Sequence, residues 1–232
     1  MRRKIRLEEI KDFKIERKVF DERTLFAIYK LMLKGSIRSV ESLIKEGKES
    51  VVISGKDRRN KWIAIKVYRT EHCDFRNMWK YLISDPRFFS VKKSRRNVVY
   101  NWCKREFKNL KLAFKGKVNC PKPIDFYENV LVMSFIGSRG IPAPRLVDLD
   151  FEKFEMDEIR FIHSEVMKEF EKLSKIGLVH SDLSEYNILL YRGKPYLIDF
   201  SQAVTKKHPL FHEFLERDRR NINLFFKKFG LE

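Results

Sequence analysis

The stretch VHSDLSEYNILLYRGKPYLIDFSQA, residues 179–203, constrains the chain more than any other. Two short apolar runs, NILLY and PYLID, have the length of strands, and the Arg192-Gly193 pair between them suits a two-residue hairpin turn. Around them stand four polar residues, His180, Asp182, Asn187 and Asp199. Isolated polar residues near a core usually cap a turn or face water. Four of them around one hairpin point to a site held open at the end of a strand pair. The spacing puts Asp182 in the preceding loop, Asn187 at the start of the first strand and Asp199 at the close of the second. An amide oxygen and two carboxylates converging there would hold a divalent cation and leave one carboxylate free as a base. Mg²⁺ takes such a sparse protein set, completed by phosphate oxygens and water.

H-x-D-x-x-x-x-N followed by a metal-binding Asp is the pattern of phosphoryl-transfer sites of the protein-kinase kind. A hairpin with polar caps would read the same, so the motif needs context. On WIAIKVY, alternation sets Ala64 and Lys66 on one face, with room for a purine beside an ammonium that reaches its phosphates. An ordinary surface lysine is the alternative. In NVVYNWCKREFKNLKLAF, Trp102, Glu106, Leu110 and Ala113 share a helix face. A carboxylate on that apolar stripe requires a buried cation, for which Lys66 is the candidate, unless the stripe is rotated and Glu106 is solvated. In KEGKESVV, Gly47 permits close backbone approach, with Lys48 and Ser50 as added donors. Met133 would line an adenine pocket, and the backbones of Ser134 and Ile136 would meet the base edge. A plain core strand is the other reading of VLVMSFIG.

The remaining sequence orders these pieces. Residues 21–35 predict a helix from Asp21 to Gly35, with Leu25, Ile28, Met32 and Leu33 at helical spacing. Three strands follow, then a helix over 97–115, a buried strand, and a Gly/Pro linker GSRGIPAP. A second strong helix carries Ile159, Ile162, Val166, Phe170 and Leu173 on one face and stops at Gly177. A final helix is expected over about 210–229. The expected fold is α+β and two-lobed, protein-kinase-like: one domain over 1–232, with a helix and small β-rich lobe over 1–136, a hinge at 137–144 and a reduced, mostly helical lobe over 145–232. The N-terminal segment, charged throughout, has no apolar core for a signal peptide, and no apolar run is long enough to span a bilayer. Three cysteines without a C-x-x-C accord with a reduced, cytoplasmic setting.

Taken together, VHSDLSEYNILL, LIDFSQAV, His208-Pro209, LVMSFIG with PAPRL, GKE at 47–49 and REFKNL resemble the RIO atypical protein kinases, in their type-one branch, over about residue 20 to the end. The type-two branch carries a winged-helix domain for which the first 36 residues leave no room. The resemblance implies that Asp182 is the proton-accepting base, that Asn187 and Asp199 bind metal, and that Lys66 positions ATP phosphates beside Glu106. It implies that Gly47, Lys48, Glu49, Ser50, Met133, Ser134 and Ile136 contact ATP. It further implies an aspartyl-phosphate on Asp199 during ATP hydrolysis, Mg²⁺ or Mn²⁺ as the ion, autophosphorylation, and a role in maturation of the small ribosomal subunit. The chain departs from the family's usual S-T-G-K-E-A turn, having Lys45 and Glu46 before Gly47 and Ser50 after Glu49. It also has Ser181 where Ala is usual and Phe200 where Val is common.

Ordinary kinases place an Arg where this chain has Ser181 and a Lys where it has Ser184, and the 33 residues after Asp199 are expected to hold neither activation segment nor peptide platform. Hydrolysis coupled to a release step therefore competes with protein phosphorylation in trans. The net charge is +18, and residues 87–118 hold eleven Lys or Arg against one acid, Glu106. That run, with Phe88, Phe89 and Tyr100 interleaved, is read as an RNA phosphate surface, Lys92, Lys93, Arg95 and Arg96 foremost, against the alternative of a solvated face. The expected partner is a small ribosomal subunit precursor or its rRNA, and no membrane. Residues 84–97 are expected to form a flap over the site. Two other functions compete: a small-molecule phosphotransferase of the aminoglycoside or choline kinase type, and a largely non-catalytic RNA-binding scaffold. The first would want a larger helical lobe and an acidic pocket; the second would predict loss of Lys66, Asp182 or Asp199.

Overall fold

A computed structural model describes residues 20–71, 73–88 and 90–231; the charged N-terminal segment and Phe89 lie outside the described residues. Helix α1 (Glu22–Lys34) starts where the Asp21 carboxylate accepts from Thr24 N and ends at Gly35, φ 82°. Its buried face is Thr24, Ala27, Ile28 and Leu31, an i, i+3, i+4, i+7 set. The expected stripe through Leu25, Met32 and Leu33 is rotated from this one, and Leu33 is exposed.

The sheet is antiparallel, in the order β1 (Ser39–Glu46), β2 (Ser50–Lys56), β3 (Trp62–Tyr68), β5 (Val130–Ser134), β4 (Pro123–Tyr127). Side-chain alternation along β3 builds two cores. Ile63, Ile65 and Val67 pack with Val51, Ile53, Val130 and Val132 under α1. Ala64 and Tyr68 turn the other way with Leu131 and Met133, into a larger core that includes Trp102, Leu110 and Ala113. Lys66 points to that side as well, as a polar residue inside the second core.

Between β3 and α3 (Arg95–Lys115) lies a helix that the periodicity did not reveal, α2 (Phe75–Ile83). The Asp74 carboxylate caps it at Asn77 N, and it buries only Met78 and Leu82. The expected flap over 84–97 is an anchored segment at its start. Asp85 is buried and grips Arg87, Phe88 is 4% exposed, and a 3₁₀ turn covers Pro86–Phe88. Helix α3 begins at Arg95, two residues before the expected start, and buries Trp102, Glu106, Leu110 and Ala113 together.

After the two-residue strands β6 (Gly137–Ser138) and β7 (Ile141–Pro142), the chain enters the helical half. Gly140, φ 81°, lies so close to Trp62 that an added Cβ would sit 2.7 Å from its ring. Helix α4 (Met156–Lys175) opens with a Glu155/Glu158 capping box and buries Ile159, Ile162, Val166, Phe170 and Leu173. Gly177, φ 70°, follows it. Strand β8 (Leu178–Val179) pairs with β11 (Val204–Thr205), bracketing the loop that holds Asp182. Inside that bracket β9 (Ile188–Tyr191) and β10 (Lys194–Leu197) form the hairpin, turning at Arg192 and Gly193 with φ 52° and 73°, as a type I′ turn requires. Helix α5 (Phe211–Lys227) closes the fold.

Candidate active site

A cleft of about 550 Å³ opens between the sheet and the helical half. That is the size of a small-ligand site. Gly47, Lys48, Glu49, Ser50, Lys66, Glu106, Met133, Ser134, Ile136, Asn187 and Asp199 all line it. Asp182 stands just outside, joined through Asn187, whose Nδ2 donates to Asp182 O at 2.8 Å and Oδ2 at 3.3 Å.

Three charged side chains make the centre. Lys66 Nζ lies 3.1 Å from each Glu106 oxygen and 2.8 Å from Asp199 Oδ1. The Tyr68 hydroxyl donates to Glu106 as well. Helix α3, β3 and the end of the β9–β10 hairpin thus meet in one ion network. Glu106 is 0% exposed, so the solvated alternative does not hold. At the hairpin end, Ile198 N donates to Asn187 O at 2.9 Å, which sets Asn187 and Asp199 side by side.

The backbone of this centre is strained at two points. Asp199 has φ 63° and Ser181 has φ 59°. Non-glycine residues in that region cost on the order of 1–3 kcal/mol and persist only where the surroundings fix them. Ser181 N donates to Asp218 Oδ2 at 2.7 Å, its Oγ to Gln202 O at 2.7 Å, and its carbonyl accepts from Arg217. Leu183 N donates to the other Asp218 oxygen at 3.2 Å, so one buried carboxylate grips the chain on both sides of Asp182. Asp199 is fixed by Lys66 and by the Ser201 hydroxyl at 2.7 Å, both on Oδ1.

A model of the RIO domain family matches residues 51–232. The chain belongs to the RIO family. It is 44% identical over 223 residues to the RIO-type serine/threonine-protein kinase Rio1 of Methanocaldococcus jannaschii, covering 94% of this chain and 73% of that one. It is 40% identical over 230 residues to Rio1 of Haloferax volcanii, covering 99% and 77%. Human serine/threonine-protein kinase RIO3 is 37% identical over the whole of this chain, which spans 47% of it. A solved Rio2 kinase from Chaetomium thermophilum, described as an ADP/Mg²⁺-phosphoaspartate complex, superposes with a TM-score of 0.65 at 23% identity, over 87% of this chain and 59% of that one. The fold is therefore the two-lobed kinase fold, and the RIO chain is a phosphotransferase of the serine/threonine-kinase class.

The electrostatics of the RIO site divide its two aspartates. Burial and the nearby Asp199 charge raise the Asp182 carboxyl to about 6. Burial also acts on Asp199, but Lys66 and Ser201 overcome it and hold that carboxyl at about 2. Burial opposes the Lys66 ammonium, yet Asp199 and Glu106 outweigh it and keep the lysine charged well past its usual range. Burial lifts Glu106 as well, against the pull of Lys66. His180 is buried, gives its Nε2 to Ile198 O at 2.9 Å, and is held neutral by desolvation; it is a structural residue of the loop.

The nucleotide-facing backbone is sorted by what is already bonded. Gly47 N donates to Ser50 O at 2.9 Å, so that amide belongs to the β1–β2 turn. Ser134 N donates to Lys122 O, and Ile136 O accepts from Ala143 N. Those bonds assign the Ser134 amide and the Ile136 carbonyl to the fold rather than to a ligand. Sequence reasoning passed over Asp218, Arg217 and the lining residues Arg145 and Asp148. Asp218 left one signal: it interrupts the apolar stripe Phe211, Phe214, Ile222, Phe225 of α5.

Proposed function

We propose that this RIO chain is an ATP- and Mg²⁺-dependent serine kinase and ATPase that phosphorylates itself and acts, in the cytoplasm, on precursors of the small ribosomal subunit. The observation that carries the catalytic part is the cleft in which Lys66 spans Glu106 and Asp199 beside Asn187 and a base-like Asp182. The donor set fits Mg²⁺. It offers oxygen ligands only, one ionised carboxylate and one amide, whose Nδ2 is already spent on Asp182. Among the described residues no cluster of three or more His, Cys, Asp or Glu could hold a metal alone, which accords with an ion shared with nucleotide phosphates. When bound, the ion would neutralise phosphate charge.

The chain's own residues do the rest. The Ala64–Met133 slot takes the base, while Lys66 holds the phosphates and stays charged. Asp182, raised to about 6, is ionised at neutral pH yet basic enough to take a hydroxyl or water proton. The Asp199 carboxyl, held at about 2, is ionised at neutral pH, the form whose oxygen would bond to the γ-phosphorus of ATP as the bond from that phosphorus to the bridging oxygen breaks and ADP leaves, giving the aspartyl-phosphate. A non-catalytic scaffold would have no need of the strain at Asp199.

The base assignment gives a pH profile. Protonating Asp182 removes the acceptor, so kcat/KM for ATP turnover is expected to fall about tenfold per pH unit below about pH 6. Measured between pH 4.5 and 8 with thermal stability followed alongside, a flat profile would contradict Asp182 as base.

Lys92, Lys93, Arg95 and Arg96 are all exposed at the start of α3, and Lys104, Lys111 and Lys115 continue the exposed charge along it. Arg105 in the same run is buried and is not part of that surface. Binding of a ribosomal RNA fragment should weaken steeply with salt. Replacing the four leading residues by Gln is expected to lower the log–log slope by roughly 0.7–0.9 for each phosphate no longer neutralised. An unchanged slope would make this a solvated face.

A further inference from the structure

Two polar side chains one turn apart on α3, Arg105 and Asn109, are fully buried and take no part in the mechanism above. The Arg105 guanidinium lies 5.2 Å and 5.1 Å from the ring centres of Tyr81 and Trp102. Its Nε donates to Asp85 Oδ2 at 3.3 Å, and its other nitrogens donate to Ser201 O, to Gln202 O at 3.4 Å and to Ala203 O at 2.9 Å. Asn109 Nδ2 donates to Phe200 O at 3.0 Å and Ala203 O at 2.9 Å, while its Oδ1 accepts from Arg87 at 2.8 Å. The carbonyls of four successive residues, 200 to 203, therefore all end on one face of α3. Those are the four residues that follow Asp199.

Buried carbonyls need donors, and a buried guanidinium needs acceptors; each is costly alone. Arg105 adjoins Glu106, the partner of Lys66. One helix turn thus fixes both the phosphate-holding lysine and the loop that keeps Asp199 at φ 63°. We propose that Arg105 and Asn109 are positioning residues for Asp199: by binding the 200–203 backbone they aim its carboxylate at the cation and weld the Lys66–Glu106 pair to it. Any outward swing of α3 that parted Lys66 from Glu106 would take the Arg105 and Asn109 donors from the carbonyls of Ser201 and Ala203, whereas Phe200 O would keep Ala203 N at 3.2 Å and Gln202 O would keep Ser181 Oγ at 2.7 Å. The site is accordingly assembled in the resting chain, without a helix-swing switch. This rests on the reading of Asp199 as a cation ligand.

The test uses the full chain with Asn109→Leu and, as a milder second variant, Arg105→Lys, which keeps the charge beside Asp85 but loses the fork. ADP affinity is measured in EDTA and in Mg²⁺, and amide hydrogen exchange is followed across 200–204. ADP binding in EDTA is expected within about twofold of wild type, because the base and Lys66 contacts remain, whereas the Mg²⁺-dependent gain in affinity should shrink by about tenfold or more. Exchange at 200–204 should speed up selectively. A wild-type Mg²⁺ gain and wild-type exchange at 200–204, with only a lower Tm, would overturn the proposal and leave the pair a structural role. If wild type itself gains nothing from Mg²⁺, the cation reading of Asp199 fails instead, and the exchange data alone decide whether the pair anchors the loop.

Discussion

Asp182→Asn is expected to lower kcat for ATP turnover and self-labelling by about 10²–10⁴ while leaving nucleotide affinity within about twofold. The substitution keeps size and shape, so Asp218 still grips Ser181 N and Leu183 N on either side and the loop stays in place. What disappears is the only function assigned to the carboxylate, acceptance of a proton. Asp182 is outside the lining of the nucleotide cleft, which is why binding should be spared. Single-turnover kinetics separate the two quantities. Undiminished turnover would remove Asp182 from the chemistry.

The largest effect on stability is expected from Lys66→Met. It strands Glu106, 0% exposed, with the Tyr68 hydroxyl as its one remaining hydrogen-bond donor among the described residues. Breaking a buried pair by removing one partner costs about 3–5 kcal/mol, an expected Tm loss of roughly 6–20 °C for a chain of this size. The cost has a definite pH dependence. Burial already raises the Glu106 carboxyl, and losing Lys66 raises it further. A carboxyl raised in the folded state stabilises only while protonated, so the deficit should grow as pH rises through that raised value. Adding Glu106→Gln to Lys66→Met should recover much of the deficit by removing the stranded charge. A single variant that melts with wild type would contradict the buried network.

Much of this was legible in the sequence because local rules and the site coincide. The Arg192-Gly193 turn fixed the hairpin register, and that register alone brings Asn187 beside Asp199. Glu106 on an apolar stripe demanded a cation, and Lys66 on an alternating strand could supply one. Other features depend on contacts between segments far apart in the chain. Helix α2 buries two side chains only, too few to leave a pattern, and the flap expected over 84–97 is pinned by the bond of Asp85 to Arg105, twenty residues on, and by Phe88 in the larger core. Arg105 looked like one basic residue in a basic run; its burial depends on carbonyls nearly a hundred residues away. The rotated stripe of α1 shows the same limit, since Thr24 is buried by its bond to Asn129 while Leu33 is left outside.

The account turns on Asp199 and Asn187 holding a cation together with a nucleotide poised by Lys66. Calorimetric titration of ADP into wild type and Asp199→Asn, each with and without Mg²⁺, tests that directly. The prediction is a gain in affinity on adding Mg²⁺ to wild type that vanishes in Asp199→Asn, with binding in EDTA preserved in both. An equal Mg²⁺ gain in the two proteins would contradict it.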